Sequence, residues 1–190
     1  MRAALAMAAL GACALVYVLF AAASKPDAAG YGRFARGAMA DLQALAEPPA
    51  QPAMALIGAD GAQTTLAAHR GQVVVLNLWA TWCAPCIEEM PTLAALQRQM
   101  GDRGVAVVAV SIDADSDAAK AQTMLADLGD GALAYYRDPT RAIAFAARAP
   151  GLPTTVIYAR DGREIARLAG GADWASPEAI ALIEAALADG

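Results

Sequence analysis

Two cysteines, Cys83 and Cys86, lie at the point where one predicted element gives way to another. Before them, Val73–Leu78 is a short apolar run rich in β-branched residues, which is typical of a buried strand. After them, apolar residues recur at helical spacing, at Ile87, Met90, Leu93 and Leu96. The pattern therefore predicts that a central strand ends just before the cysteines, and that both cysteines lie at the first turn of a helix.

This position has chemical consequences for both sulfurs. Residues i and i+3 are neighbours on a helical turn, close enough for a disulfide between Cys83 and Cys86. The unpaired N–H groups and the positive dipole end of a helix start favour an anionic sulfur at Cys83, and the thiolate is the reactive form in disulfide exchange. A zinc site usually needs about four ligands, and no second cysteine pair exists. A structural bridge closing so short a loop adds little stability, so we expect a redox-active pair.

Four motifs together resemble a known family. They are Leu76-Asn77-Leu78-Trp79-Ala80-Thr81-Trp82-Cys83-Ala84-Pro85-Cys86, Glu89-Met90-Pro91, Gly151-Leu152-Pro153-Thr154 and Trp174-Ala175-Ser176. From about Gln51 onward the chain is similar to TlpA-like thiol:disulfide interchange proteins, in the membrane-anchored extracytoplasmic branch of the thioredoxin superfamily. The resemblance implies an α/β thioredoxin-like fold with a central mixed sheet flanked by helices. It also implies an added helix–strand unit between the active-site helix and a cis-proline loop, and an N-terminal transmembrane helix.

The remaining elements are predicted from periodicity and turn residues. Val105–Ile112 is a second buried strand, and the strand–helix–strand order implies parallel pairing with the first. A helix capped by Ser116 runs to Leu128 and ends at Gly129. Downstream we expect a strand at Ala132–Tyr136, a helix at Thr140–Arg148, a hairpin of Thr154–Tyr158 and Glu164–Leu168, and a closing helix from Ser176-Pro177 to Ala188.

The chain divides into three predicted parts. Residues 1–24 are a membrane anchor or signal-like segment, residues 25–51 a linker, and residues 52–190 the thioredoxin-like domain. Within the linker, apolar residues recur at helical intervals, at Phe34, Ala38, Leu42 and Leu45. This stretch is therefore interpreted either as a short amphipathic helix or as a flexible tether.

The first segment allows three interpretations. Ala3–Ala23 carries no charge and has about the length that a membrane-spanning helix needs. A cleaved signal peptide would end at Ala21-Ala22-Ala23, and a lipoprotein would begin at Cys13. The apolar run is longer than the core of a usual signal peptide and continues past Cys13. We therefore favour a single uncleaved anchor in the inner (cytoplasmic) membrane.

The expected orientation rests on the resemblance rather than on charge. Only Arg2 precedes the apolar run, whereas Lys25, Arg33 and Arg36 follow it. Counted strictly, this distribution favours a domain inside the cytoplasm. Because anchored members of the family lie outside it, we nevertheless expect the domain to face the periplasm.

The order of the two cysteines predicts their roles. Cys83, at the helix start, is the nucleophile that attacks a substrate disulfide, and Cys86, one turn further in, resolves the mixed disulfide. Trp82 adjoins Cys83 and offers substrates a flat apolar surface, so we expect Trp82, Ala84 and Pro85 to contact them.

The Leu152-Pro153 pair gains its expected role from the resemblance. In the family this proline is cis and lies beside the active disulfide, so that the backbone of Leu152 pairs with the substrate chain. The two residues are therefore expected to bind substrate. The alternative is a trans proline at a strand start.

Glu89 is the candidate for proton transfer. The resemblance implies a partly buried carboxylate here that handles the proton of the inner cysteine, because loss of solvation raises a carboxyl pKa toward neutrality. The alternative is a solvated glutamate of the first helical turn, which suits Glu88 better. Thioredoxin itself has a buried aspartate where this chain has Asn77, which cannot titrate.

The predicted direction is reduction. Pro85 removes one N–H from the group that faces the thiolate, so we expect a potential nearer to thioredoxin, at about −270 mV, than to DsbA, at about −120 mV.

No cofactor is expected beyond the Cys83–Cys86 pair. The resemblance implies protein substrates awaiting copper or haem, such as oxidase assembly factors or apocytochrome c, and a membrane thiol transporter as electron donor. The domain itself is expected to be monomeric.

Three other function classes fit this sequence less well. The net charge of −5 argues against a nucleic-acid partner. A thiol peroxidase on the same fold prefers a Thr-x-x-Cys setting, and Ala80 stands three residues before Cys83. A Cu(I) metallochaperone would use the two thiols as soft ligands, but the only histidine, His69, lies in a distant loop. Trp79 and Trp174 are interpreted as core residues.

Overall fold

The structure is a computed structural model that describes residues 28–45 and 47–189. The anchor, signal-peptide and lipoprotein interpretations fall on residues outside these ranges, as does Cys13. Over the ranges described, no helix combines the length and apolar character needed to cross a membrane.

The strands are β1 (Leu56–Gly58), β2 (Gln63–Thr64), β3 (Val73–Trp79), β4 (Val105–Ser111), β5 (Tyr136–Arg137), β6 (Thr154–Tyr158) and β7 (Glu164–Ala169). The α-helices are α1 (Ala84–Met100), α2 (Ala118–Gly129), α3 (Ala142–Ala146) and α4 (Pro177–Ala188).

One mixed seven-stranded sheet organises these elements, in the order β2-β1-β5-β4-β3-β6-β7. β3 and β4 pair in parallel and every residue of both is buried. Continuous apolar runs suit such central strands, because helices cover both faces of a parallel sheet. β6 pairs antiparallel with both β3 and β7. The fold is the thioredoxin-like α/β fold that the resemblance implies.

The closing helix follows its predicted start signal. The hydroxyl oxygen of Ser176 accepts a hydrogen bond from the backbone N–H of Ala179 at 3.3 Å, and Pro177 is the first helical residue. A capping hydroxyl satisfies one of the N–H groups that have no partner inside the helix. The predicted span of α4, which ends at Ala188, is confirmed.

The interval between α1 and Pro153 contains the added helix–strand unit. β5 joins the sheet beside β4, in parallel with it, and α2 precedes it in the chain. The predicted cap of α2 is wrong, because Ser116 lies inside a 3-10 turn (Asp115–Asp117) and Asp117 occupies the N-cap position. Gly129, expected to follow the helix and stop it, is instead the last helical residue of α2. Asp130 adopts the left-handed conformation that follows, with a φ of 48°.

The two short elements that follow α2 are shorter than predicted. The strand expected at Ala132–Tyr136 is reduced to β5, since only Tyr136 and Arg137 pair with neighbouring strands. The helix expected at Thr140–Arg148 is reduced to α3. Residues with positive φ bound it, Arg141 at 60° and Arg148 at 52°, and a right-handed helix cannot continue through them.

The stretch assigned to a linker contributes to the core. Its described part forms two 3-10 helices, Ala28–Phe34 and Gly37–Met39, instead of one amphipathic α-helix. Gly37 has a φ of 54°, which interrupts any continuous right-handed helix. The backbone of Gln43 also exchanges two hydrogen bonds of 2.8 Å with Arg167, at the edge of the sheet. This segment is therefore part of the folded body rather than a tether. Its buried side chains are Tyr31, Phe34, Met39 and Leu42.

Truncating Met39 tests this conclusion. Its side chain is fully buried, and the 3-10 helix that carries it packs against α4. We expect Met39→Ala to lower the free energy of unfolding by about 2–5 kcal/mol, because the change removes buried apolar contacts and leaves a cavity. Arg36→Ala, at an exposed position of the same segment, should change it by less than about 0.5 kcal/mol. Urea unfolding of the two variants makes the comparison, and equal, negligible losses would restore the tether interpretation.

Candidate active site

The cysteine pair lies where β3 passes into α1. The backbone N–H of Cys83 donates to the carbonyl oxygen of Ala80 at 3.1 Å, which closes a turn after the strand. Cys83 is the N-cap residue of α1, and its carbonyl oxygen accepts the first helical hydrogen bond, from Ile87 at 3.1 Å. Pro85 occupies the first helical turn, where a missing N–H costs no helical hydrogen bond. The sulfur of Cys83 therefore sits at the positive end of the helix.

Cys83 and Cys86 form a disulfide, with an S–S distance of 2.08 Å and a Cα–Cα distance of 5.3 Å. Cys86 is fully buried and Cys83 is 6% exposed, so the first cysteine is the one that solvent reaches. The neighbouring residues form an open surface: Ala84 and Pro85 are exposed and Trp82 is 63% exposed. A polypeptide can therefore approach the disulfide from the side of Cys83.

The proline loop lies at the same end of the sheet. The peptide bond between Leu152 and Pro153 is cis, the conformation that the resemblance implies. β6 begins directly after Pro153, and its first residue, Thr154, pairs with Leu78 near the end of β3. Leu152 is half-buried and Pro153 is buried. The loop and the cysteine pair thus both lie next to the carboxyl-terminal end of β3.

Glu89 lies inside the protein, not at its surface. Its side chain is 3% exposed, whereas Glu88 is exposed. The Oε1 atom of Glu89 accepts a hydrogen bond of 2.7 Å from the amide of Asn77. Its Oε2 atom accepts one of 3.0 Å from the backbone N–H of Ala172 and one of 3.1 Å from the indole N–H of Trp174.

Burial controls the protonation of this carboxyl group. Loss of solvation raises the pKa of Glu89 from 4.5 to about 7, although the hydrogen bonds from Ala172, Asn77 and Trp174 each lower the pKa. A groove of about 470 Å³ between α1 and the segment Gly171–Asp173 is lined by Glu89 and Pro85 among others. Glu89 is therefore poised to exchange a proton near neutral pH, and water has a path to its surroundings.

The hydrogen bonds of Asn77, Ala172 and Trp174 to Glu89 form a network around this carboxylate. The sequence does not predict that Asn77 and Trp174 belong to it. Asn77, which the sequence marks only as a residue that cannot titrate, donates to Glu89 and also to the hydroxyl of Thr155 at 2.9 Å. Trp174, interpreted as core, is fully buried but carries one of the three donors to Glu89. Because Trp174 is 85 positions from Glu89 in the chain, no local pattern links the two residues. Its place in a family motif is the one sequence signal that points to it.

Other residues singled out in the sequence lie apart from this network. Trp79 is fully buried in the core, as predicted. His69 ends a 3-10 helix, and its Nδ1 atom lies 3.3 Å from the side-chain oxygen of Gln72. In the portion of the chain that the structure describes, no group of three or more histidine, cysteine, aspartate or glutamate side chains is arranged to hold a metal ion.

Comparison with known proteins identifies the family. The redoxin family model matches residues 45–183. The thioredoxin-like protein YneN of Bacillus subtilis is 38% identical over 79 residues, which are 42% of this chain and 46% of that protein. The thiol:disulfide interchange protein HelX of Rhodobacter capsulatus is 31% identical over 60% of this chain and 61% of its own length.

A solved structure matches a larger share of this chain. A crystal structure described as a thiol:disulfide interchange protein DsbE from Chlorobium tepidum has a TM-score of 0.66 and 28% identity, covering 74% of this chain and 98% of that one. By contrast, this chain spans about half of YneN and less than two thirds of HelX. The resemblance to TlpA-like thiol:disulfide interchange proteins is confirmed, and the chain belongs to the redoxin family, with a thioredoxin-like fold.

Proposed function

We propose that this chain is a thiol:disulfide oxidoreductase that reduces disulfides of other proteins outside the cytoplasm. The observation that carries the proposal is the Cys83–Cys86 disulfide at the start of α1, with its first cysteine next to an open surface. The buried carboxyl of Glu89 on the same helix supports it. HelX and the DsbE structure, both named as thiol:disulfide interchange proteins, agree with this chemistry.

The proposed reaction begins with the reduced protein. The Cys83 thiolate attacks one sulfur of the substrate disulfide, forms a mixed disulfide and expels the other substrate sulfur as a thiolate. The sulfur of Cys86 then gives up its proton and attacks the Cys83 sulfur. This step releases the second substrate sulfur and leaves the Cys83–Cys86 disulfide. Two electrons pass to the substrate, whose two sulfurs become thiols after protonation.

Glu89 is proposed to take the proton of Cys86. It lies three residues after Cys86, so both side chains lie on neighbouring positions of α1. A base with a pKa near the working pH combines a useful ionised fraction with a useful affinity for the proton, and the pKa of Glu89 is about 7. The donors on Asn77, Ala172 and Trp174 hold the carboxyl in place for this transfer.

The direction, cofactor and partners belong to the same proposal. Pro85 removes an N–H group near the Cys83 sulfur, which favours a reducing pair. The sulfur pair is proposed to carry both electrons without a bound cofactor. Residues 1–24 are proposed to anchor the domain to the inner membrane facing the periplasm, and a membrane thiol transporter to restore the dithiol. Substrates are proposed to be proteins that need free thiols to receive copper or haem, with a contact surface formed by Trp82, Ala84, Pro85, Leu152 and Pro153.

Replacing each cysteine in turn tests the order of attack. With Cys86→Ser, attack by Cys83 still occurs but resolution does not, so we expect the variant to accumulate as a mixed disulfide with a disulfide-containing test protein such as insulin. Cys83→Ser should form no such adduct and should lose reduction of the test protein by at least about 10³-fold. Non-reducing electrophoresis and intact-mass spectrometry identify the adducts.

An adduct with Cys83→Ser but none with Cys86→Ser would reverse the assigned roles. The same purified proteins given hydrogen peroxide in place of insulin test the peroxidase alternative. Under the proposal, peroxide consumption stays near that of a free thiol.

Removing the carboxylate tests its role in proton transfer. In Glu89→Gln the resolving step should be at least about tenfold slower near pH 7, because no buried base takes the proton of Cys86. The wild-type rate should rise through a midpoint near pH 7 that the variant lacks. The difference should narrow above about pH 8.5, where a free cysteine ionises unaided. Stopped-flow fluorescence of the mixed disulfide gives both profiles, and superimposable profiles would remove Glu89 from the mechanism.

Equilibrium unfolding of the oxidised proteins provides an independent control. Since the pKa of Glu89 is raised from 4.5 to about 7, the folded state binds more protons than the unfolded state between these values. The free energy of unfolding contributed by this group therefore falls as pH rises from 4.5 to 7. Glutamine does not titrate, so the free energy of unfolding of Glu89→Gln, measured relative to wild type, should rise by on the order of 3 kcal/mol between pH 4.5 and 7. Asn77 can reverse its amide to meet the new NH₂ group, because its Oδ1 atom has no hydrogen-bond partner among the described residues.

A further inference from the structure

A second buried carboxylate lies outside the Glu89 network. Asp113, 3% exposed, comes two residues after β4. Its Oδ2 atom accepts a hydrogen bond of 3.0 Å from the backbone N–H of Thr81, and its Oδ1 atom accepts one of 3.0 Å from the Thr81 hydroxyl. The hydroxyl of Ser111 donates to Oδ2 at 2.8 Å. Burying a carboxylate is costly unless hydrogen-bond donors surround it, so the donors on Thr81 and Ser111 stabilise Asp113 at this buried position.

The residue that Asp113 holds lies in the turn that presents the reactive cysteine. The hydrogen bond from Cys83 to Ala80 closes a four-residue turn whose central residues are Thr81 and Trp82. The backbone N–H and the side-chain hydroxyl of Thr81 both donate to the Asp113 carboxylate. Asp113 thus ties the second residue of this turn to the end of β4.

The other restraints on this turn act at its two ends, where Ala80 is fully buried and the carbonyl oxygen of Cys83 accepts a hydrogen bond from Ile87. The side chain of Trp82 is 63% exposed, so packing of this residue contributes little to its position. In the oxidised protein the S–S bond fixes Cys83 to Cys86. Once that bond is reduced, the ends of the turn keep their backbone hydrogen bonds, and the contacts with Asp113 hold its second residue, Thr81. Asp113 accepts its hydrogen bonds from Thr81 and Ser111, so its effect on the sulfur passes through the turn.

We propose that Asp113 and Thr81 are positioning residues that keep the Cys83 sulfur placed for disulfide formation when the pair is reduced. This inference rests on the proposed function, because it assigns a role within the same redox pair. Without the contact, the dithiol gains conformational freedom that must be given up again when the disulfide closes. The equilibrium between dithiol and disulfide therefore moves toward the dithiol.

Equilibrium with glutathione measures this effect. In the exchange, two glutathione thiols reduce the Cys83–Cys86 disulfide to two thiols and become one glutathione disulfide. We expect Thr81→Val, which removes the hydroxyl but keeps the charge of Asp113, to shift the equilibrium constant about tenfold toward the dithiol, or about 30 mV. Thr81→Ser, which restores the hydroxyl, should stay within about twofold of wild type. The dithiol fraction is read by alkylation and mass spectrometry.

A matched variant separates positioning from general loss of stability. The hydroxyl of Thr140 donates to the buried carboxylate of Asp138, a pair of the same chemistry that lies before α3 and not in the cysteine turn. Thr140→Val should therefore leave the glutathione equilibrium unchanged. An equal shift in Thr140→Val, or no shift in Thr81→Val, would overturn the inference.

Asp113→Asn provides a second variant in case Thr81→Val does not fold. It keeps the size of the side chain but weakens the acceptor for Thr81, so we expect a shift in the same direction. A shift in Asp113→Asn with none in a folded Thr81→Val would mean that charge alone acts on the sulfur, and the positioning role would fail. If the wild-type protein itself does not exchange with glutathione, the proposed function fails rather than this inference.

Discussion

The site depends on one junction, where the fully buried strand β3 turns directly into the first turn of α1. A central strand cannot shift without breaking its pairing on both sides, so the end of β3 is a fixed point. Cys83 caps the helix that starts there, and the positive end of the helix faces its sulfur. The disulfide, the proline loop and both buried carboxylates are arranged around that point. The chemistry thus follows from where the sheet places one residue.

Two buried carboxylates serve this junction through different surroundings. Glu89 accepts three N–H donors from two segments, β3 and the loop between β7 and α4, yet loss of solvation outweighs them and raises its pKa to about 7. Asp113 receives hydroxyl and backbone donors from Thr81 and Ser111 at the ends of neighbouring strands. In the proposed mechanism, Glu89 moves the proton of the inner cysteine, and Asp113 holds the turn that carries the outer one. Neither role is visible from the residue type alone.

The parts of the fold with strong local patterns can be predicted from the sequence. The strand that begins at Val73, the hairpin strand Thr154–Tyr158 and the start of α4 at Pro177 agree with their predictions, because apolar runs, turn residues and caps are encoded locally. The extent of a short element such as β5 cannot be predicted in this way, since it depends on which neighbouring strands the element pairs with. The segment before Pro48 resembles a linker in sequence because its few apolar residues reveal nothing of the surface that buries them.

The candidate site, like the fold, has residues that the sequence predicts and residues that it does not. The spacing of Cys83 and Cys86 predicts their pairing, and the family resemblance points to Pro153 and Glu89, because these residues lie in short motifs. Asp113 lies in none of these motifs, and the motif that contains Trp174 does not indicate that this residue contacts Glu89. Each contact joins segments that only the folded sheet and helices bring together.

The most direct test of the central claim is the rate at which a thiol reagent modifies each cysteine of the reduced protein as pH is varied. Peptide mapping after brief exposure to iodoacetamide assigns the modified residue. We predict that Cys83 reacts first, with a half-maximal rate below pH 8.5, about the value for a free cysteine, while Cys86 remains largely unmodified. Preferential modification of Cys86, or a half-maximal rate for Cys83 at or above that of a free cysteine, would contradict the claim.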